Sequence, residues 1–322
     1  MNFENDIKAV DALRSAYKKF FNEIKKVIIG QDHIVKDVII SIFSNGHCLL
    51  IGVPGLAKTL LVKTVADVIG LEFKRIQFTP DLMPSDIIGT EILGADRKFK
   101  FIKGPLFANI ILADEINRTP PKTQSALLEA MQERAITAAG TNYILDEPFF
   151  VMATQNPIEQ EGTYPLPEAQ LDRFMYNIWL DYPEFEDEKT IVKNTTSDMN
   201  IKLNKVLSAE EIIYFQNLIR RIPINDNVIE YAVNLSTKTR PDQKNSHPLA
   251  NKYINWGVGP RASQYMIIGA KTHAILNGKF SPDIEDVKAV ALPVMRHRII
   301  RNYKAEAENI SVENIINELI NN

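Results

Sequence analysis

Two short stretches of this 322-residue sequence hold residues whose types and spacing suit phosphate chemistry. Gly52-Val53-Pro54-Gly55-Leu56-Ala57-Lys58-Thr59 follows the G-x-x-x-x-G-K-[ST] spacing, with Ala57 where the second glycine usually stands. A phosphate-binding loop needs backbone N–H groups turned inward, a helix N-terminus behind them, an ammonium group for phosphate oxygens and a hydroxyl for Mg²⁺. Gly52 and Gly55 let the chain turn, Lys58 supplies the charge and Thr59 the hydroxyl. A plain strand-to-helix turn with an exposed lysine fits the same residues. The second stretch, Asn109-Ile110-Ile111-Leu112-Ala113-Asp114-Glu115, reads as a buried strand ending in two carboxylates. An aspartate so placed can hold Mg²⁺ through water, and the adjacent glutamate can polarise an attacking water. Either can equally be a helix N-cap.

Two further residues belong to the same picture. Ala153-Thr154-Gln155-Asn156 ends another apolar run, so Asn156 lies at the carboxyl edge of the sheet, where open α/β sheets bind ligands. It can orient the lytic water or sense a γ-phosphate, although asparagine is also a common turn residue. Arg173, in Glu168-Ala169-Gln170-Leu171-Asp172-Arg173-Phe174, is a candidate arginine finger or an exposed partner of Asp172.

The elements that must position these residues can be read from periodicity. Apolar residues recur at helical spacing from Asp6 to Val27. Short, consecutive apolar runs follow at His47–Ile51, Phe73–Phe78, Asn109–Ala113, Phe149–Thr154 and Met175–Leu180, with helical stretches between most of them. Runs of this kind suit strands covered on both faces, as in parallel sheets. The sequence predicts an α/β domain over residues 1–183, with a parallel sheet flanked by helices, then an all-α domain over 184–322. In the latter, Ser208-Ala209-Glu210-Glu211 has capping-box spacing, Gly278 is placed to end one helix, and Ser281-Pro282 is placed to start the next. The polar stretch Ser236–Gly259 reads as a long connection. There is no internal repeat.

Composition excludes several classes. Hydrophobic residues make up 45% and charged residues 24%, as in folded globular proteins. With 37 Lys plus Arg against 40 Asp plus Glu, the formal net charge is −3, so no overall positive field draws the chain to nucleic acid or anionic lipid. The start of the sequence lacks the pattern of a signal peptide, and no apolar run approaches the ~20 residues of a spanning helix. A cytoplasmic protein is expected. Cys48 is alone and reads as a small buried hydrophobe, and the five histidines show no metal-ligand spacing.

Taken together, these motifs resemble those of the AAA+ ATPases: Walker A at Gly52–Thr59, Walker B at Asp114-Glu115, sensor 1 at Asn156, an arginine finger at Arg173 and sensor 2 at Arg261 in Gly259-Pro260-Arg261-Ala262. The wording is similar to that of the MoxR family, including alanine before the lysine, Asp114-Glu115-Ile116-Asn117-Arg118, Ala153-Thr154-Gln155-Asn156-Pro157 and Leu166-Pro167-Glu168-Ala169-Gln170-Leu171-Asp172-Arg173-Phe174. Gly259 departs from the serine that often precedes Pro-Arg.

The resemblance implies a P-loop AAA+ core followed by a helical lid. It also implies Mg²⁺-dependent ATP hydrolysis and remodelling or maturation of partner proteins. Nucleotide would be bound by Gly52, Val53, Pro54, Gly55, Leu56, Ala57, Lys58, Thr59 and Leu60, by Ile29 in the adenine-packing segment Val27-Ile28-Ile29-Gly30-Gln31, and by Arg261. Thr59 and Asp114 would hold Mg²⁺, while Glu115, Asn156 and Arg173 would be catalytic. A homo-oligomeric ring, a hexamer, is implied, as is a partner bearing a von Willebrand factor type A domain; nucleic acid is disfavoured. The family also implies an insert near Asp81–Lys103 and a hairpin before sensor 1, and Ala135–Leu145 reads independently as a hairpin around Gly140-Thr141. A chelatase-like or nucleic-acid-remodelling motor and a non-hydrolysing nucleotide-dependent scaffold are the alternatives.

Overall fold

The computed structural model describes residues 6–95, 97–159, 161–198 and 201–321. By contact density the chain forms two compact units. One comprises Lys18–Pro167 and Ile178–Ile213; the other takes the residues up to Tyr17, Glu168–Asn177 and the chain from Tyr214 onward.

The first unit is built on a sheet whose strands are the apolar runs read above. Helices α1 (Asp6–Lys25) and α2 (Asp32–Phe43) precede β1 (Cys48–Ile51), and α3 (Lys58–Ile69) leads to β2 (Phe73–Gln77). Next come α4 (Pro84–Ile88) and the hairpin of β3 (Gly89–Leu93) and β4 (Phe99–Lys103), within the segment expected to be an insert. The chain continues through β5 (Ile110–Asp114), α5 (Pro121–Glu133), the hairpin of β6 (Ala135–Ala138) and β7 (Thr141–Ile144), then β8 (Phe150–Gln155). Two positive φ angles, at Ala139 and Gly140, close the β6–β7 hairpin, as a tight two-residue turn requires.

After α6 (Glu168–Leu171), β9 (Tyr176–Trp179) completes a five-stranded sheet of order β2-β5-β8-β1-β9. β1, β5 and β8 run parallel, as do β2 and β5. Every residue of β1 and β5 is buried, which is why neither alternates apolar with polar. Register sets Ile51 beside Gln155 and Gln77 beside Asp114, so the carboxyl ends of these strands lie side by side. Helix α7 (Phe185–Thr195) belongs to the same unit.

The second unit is mainly helical: α8 (Ala209–Arg221) from Tyr214 onward, α9 (Asp226–Lys238), α10 (Pro248–Tyr253), α11 (Pro260–Leu276), α12 (Ile284–Met295), α13 (Tyr303–Ala307) and α14 (Val312–Asn321). Its helix signals were partly as read. Ser208 and Glu211 exchange capping-box hydrogen bonds at 2.8 and 3.3 Å, and Gly278, at φ +94°, follows the end of α11. The cap of α12 is Asp283, paired reciprocally with Asp286, rather than Ser281, whose hydroxyl donates to the Pro223 carbonyl at 3.1 Å. The polar stretch 236–259 is not a plain connection. It holds the end of α9, then α10 capped by the His247 ring, then β10 (Ile254–Trp256), which pairs with β11 (Ile300–Arg301). Among the described residues no helix is long and apolar enough to cross a membrane.

Candidate nucleotide-binding site

At the carboxyl end of β1 the chain turns through Gly55 at φ +89° and Ala57 at φ +56°, and α3 begins at Lys58. The second-glycine position is therefore left-handed here, and an alanine occupies it. Lys58 Nζ donates to the Val53 carbonyl at 3.1 Å and also reaches that of Gly52. Partial burial lowers the Lys58 pKa, while the charges of Asp114 and Glu115 oppose that shift.

Pro54–Leu60, Asp114, Glu115, Thr154 and Asn156 together line a cleft of about 380 Å³. Asp114 is 7% exposed, with one carboxylate oxygen accepting from Thr154 Oγ1 at 2.6 Å and the other from Arg75 Nε and Nη2 at 3.0 and 2.7 Å. Glu115 sits at φ +56°, and its N–H donates to Thr154 Oγ1 at 2.9 Å. Its carboxylate accepts from Gln77 Nε2 at 3.0 Å and pairs with Arg118 at 3.0 Å. Asn156 accepts from the Ile158 N–H at 3.3 Å through Oδ1, whereas its buried Nδ2 has no partner. An unpaired buried donor costs roughly 1–3 kcal/mol, so an acceptor at this spot would be stabilising.

A second cavity of about 410 Å³ shares Gly55, Leu56, Ala57 and Leu60 with the cleft. Ile29 lines it, as do Gln31 and residues of α7 including Ile191. Gln31 is 6% exposed and its Oε1 has no partner. Both cavities are lined by the loop, one together with the carboxylates and the other together with Ile29. A nucleoside triphosphate has the same division between phosphates and base.

Arg173 and Arg261 belong to the other unit. Arg261 Nη1 meets Asp172 Oδ2 at 2.9 Å, and Arg298 meets Asp172 Oδ1 at 2.7 Å. Arg298 also donates to the carbonyls of Asp172, Phe174 and Met175, and Tyr265 Oη donates to that of Arg173 at 3.3 Å. The Asp172–Met175 segment is thereby tied to α11 and to the end of α12. Gly259 supplies no side-chain cap to α11, which nonetheless starts at Pro260, whose ring presets the first turn.

Sequence reasoning gave no site role to Arg75, Gln77, Thr154 or Arg298 and met Arg118 only within the family's wording. Thr154 carried a readable signal, a hydroxyl inside an apolar strand one step from a carboxylate strand. Arg75 and Arg298 carried none, since each acts through partners brought near by strand register or helix packing.

Residues 47–176 match the family described as ATPase family associated with various cellular activities (AAA), and residues 247–319 match the AAA lid domain. Chaperone MoxR1 of Mycobacterium tuberculosis is 42% identical over 302 residues, covering 92% of this chain and 79% of that protein. The chain belongs to the MoxR family of AAA+ ATPases. Protein MoxR of Methylorubrum extorquens, another relative, is 30% identical with 92% of each chain covered. A crystal structure from Cytophaga hutchinsonii, of a protein assigned there as an ATPase, superposes on this MoxR-family chain with a TM-score of 0.91 at 44% identity, covering 98% of this chain and 96% of the other. The α/β AAA domain and the helical lid expected from the sequence are thus features shared with known relatives.

Proposed function

We propose that this MoxR-family protein hydrolyses ATP with Mg²⁺ and uses the cycle to remodel or mature a partner protein in the cytoplasm. The observation that carries the reading is the single cleft lined by Lys58, Thr59, Asp114, Glu115 and Asn156. Lys58 and the loop amides bind the β- and γ-phosphates. The Thr59 hydroxyl and Asp114 carboxylate are hard oxygen donors that suit Mg²⁺. When bound, that ion neutralises charge on the phosphate oxygens. Glu115, held by Gln77 and Arg118, takes the proton of the attacking water, and the free Asn156 Nδ2 aligns that water or the γ-phosphate. Ile29 packs against the base, and Gln31 Oε1 accepts from its amino group.

The family resemblance supplies the rest of the proposal. Arg173 acts in trans on the γ-phosphate of a neighbouring subunit of a hexameric ring, where such fingers contribute about 10³–10⁵ in rate. Arg261 reports nucleotide state from the lid, and the client is presented by a protein bearing a von Willebrand factor type A domain.

Calorimetry with ATPγS and a phosphate-release assay test the reading. Native protein should bind, Lys58→Ala should lose binding, and Glu115→Gln should bind normally while turning over about 10²–10⁴-fold more slowly. A native protein that takes up no nucleotide, or a Glu115→Gln variant of unchanged turnover, would overturn it.

A further inference from the structure

The carboxylate of Asp114 is not held by neutral donors alone. Arg75, from the edge strand β2, directs both Nε and Nη2 at Asp114 Oδ2 at 3.0 and 2.7 Å. The same Nη2 donates to Gln77 Oε1 at 2.5 Å, and Gln77 Nε2 donates to Glu115 Oε2 at 3.0 Å. One guanidinium therefore touches the proposed metal carboxylate directly and the proposed base through a single amide. The Arg75 side chain is 48% exposed and that of Asp114 10%, so the guanidinium can leave for solvent once another cation takes its place at the carboxylate.

A guanidinium and a divalent cation compete for the same negative charge, because each stabilises the carboxylate and each repels the other. We infer that Arg75 is a positioning residue that holds Asp114 in competition with the divalent cation and so weakens that cation's binding there. This inference rests on the nucleotide reading above. The Arg75 fork also satisfies Asp114 before the cation comes, so the buried carboxylate is never left unpaired.

The test counts Mn²⁺ bound to the full-length protein and ATPγS, with protein in excess, by electron paramagnetic resonance. Arg75→Gln removes the charge and should tighten Mn²⁺ binding about tenfold, the size expected for losing a like charge a few ångströms away near the surface. Arg75→Lys keeps the charge without the fork and should fall between native and Arg75→Gln. Normal ATPγS binding with Mn²⁺ affinity unchanged or weakened in Arg75→Gln would overturn the inference while leaving the nucleotide reading intact. Failure of the native protein to bind ATPγS would overturn both. Circular dichroism of each variant, with native-like unfolding, ensures that an altered affinity is not a folding defect.

Discussion

Arg298 grips Asp172 twice, through the carboxylate at 2.7 Å and through the backbone carbonyl at 2.9 Å. Arg298 is only 6% exposed, and its burial pulls the guanidinium pKa down against the opposing pull of Asp172. Removing the carboxylate leaves a buried cation with backbone carbonyls and the face of the Tyr265 ring as its partners. Asp172→Ala should therefore cost about 3–5 kcal/mol in urea unfolding, the range for breaking a buried pair from one side. Arg261→Ala, at the more exposed end of the same carboxylate, should cost under about 1 kcal/mol.

Gly30 sits at φ +75°, and a Cβ there would lie 2.6 Å from Asp187 Oδ2 and 2.8 Å from Asp187 Cβ. Gly30→Ala should lower stability by about 1–2 kcal/mol from the left-handed backbone alone and weaken ATPγS binding by pushing α7 off the Ile29 cavity. Adding Asp187→Gly should recover part of the binding loss, since the two changes share one contact. Calorimetry on the double variant checks this.

Ala57 occupies a left-handed position at φ +56°, where an L side chain costs roughly 1–2 kcal/mol and glycine costs nothing comparable. Ala57→Gly should preserve ATPγS affinity and keep or raise stability. Ala57→Val, with a branched Cβ at the same angles, should abolish binding. Thermal unfolding and calorimetry on both variants would reveal the ordering.

His47 is buried with Nδ1 accepting from the Val151 N–H at 3.0 Å and Nε2 facing the Met131 carbonyl at 3.2 Å. Desolvation, reinforced by the Arg134 charge, lowers its pKa to about 3. The unfolded chain takes up this proton below about pH 6.5 and the folded chain does not, so acid favours unfolding. Its stabilising share is complete above pH 6.5 and is lost as pH falls toward 3. Between pH 7.5 and 5.5 the loss from this group should be about 1.4 kcal/mol. Urea unfolding at the two pH values should show that His47→Gln, though less stable overall, loses less on acidification by about that amount.

Legibility in the sequence followed the range of the physics. The strands at 48–51, 73–77, 110–114, 150–155 and 176–179 were readable because full burial writes itself as consecutive apolar residues. Lys58, Thr59, Asp114, Glu115 and Asn156 were readable because each follows a strand end by fixed spacing, and the fold brings them to one cleft. What escaped depends on pairings far apart in sequence. Ser281 looked like a helix cap but is drawn to Pro223, leaving the role to Asp283. Arg75 lies within an apolar run and drew no reading of its own, and only the β2–β5 register brings it to Asp114. The helix at 248–253 escaped because its cap is an imidazole.

The four crossings of the chain between its two units, at 17/18, 167/168, 177/178 and 213/214, deny it modularity. Scission at 183/184 would sever Asp172 from Arg261 and Arg298 and strand α7 away from the loop it lines. Neither fragment would be a self-sufficient module, so any excision or domain graft must carry whole, interlaced lengths of both.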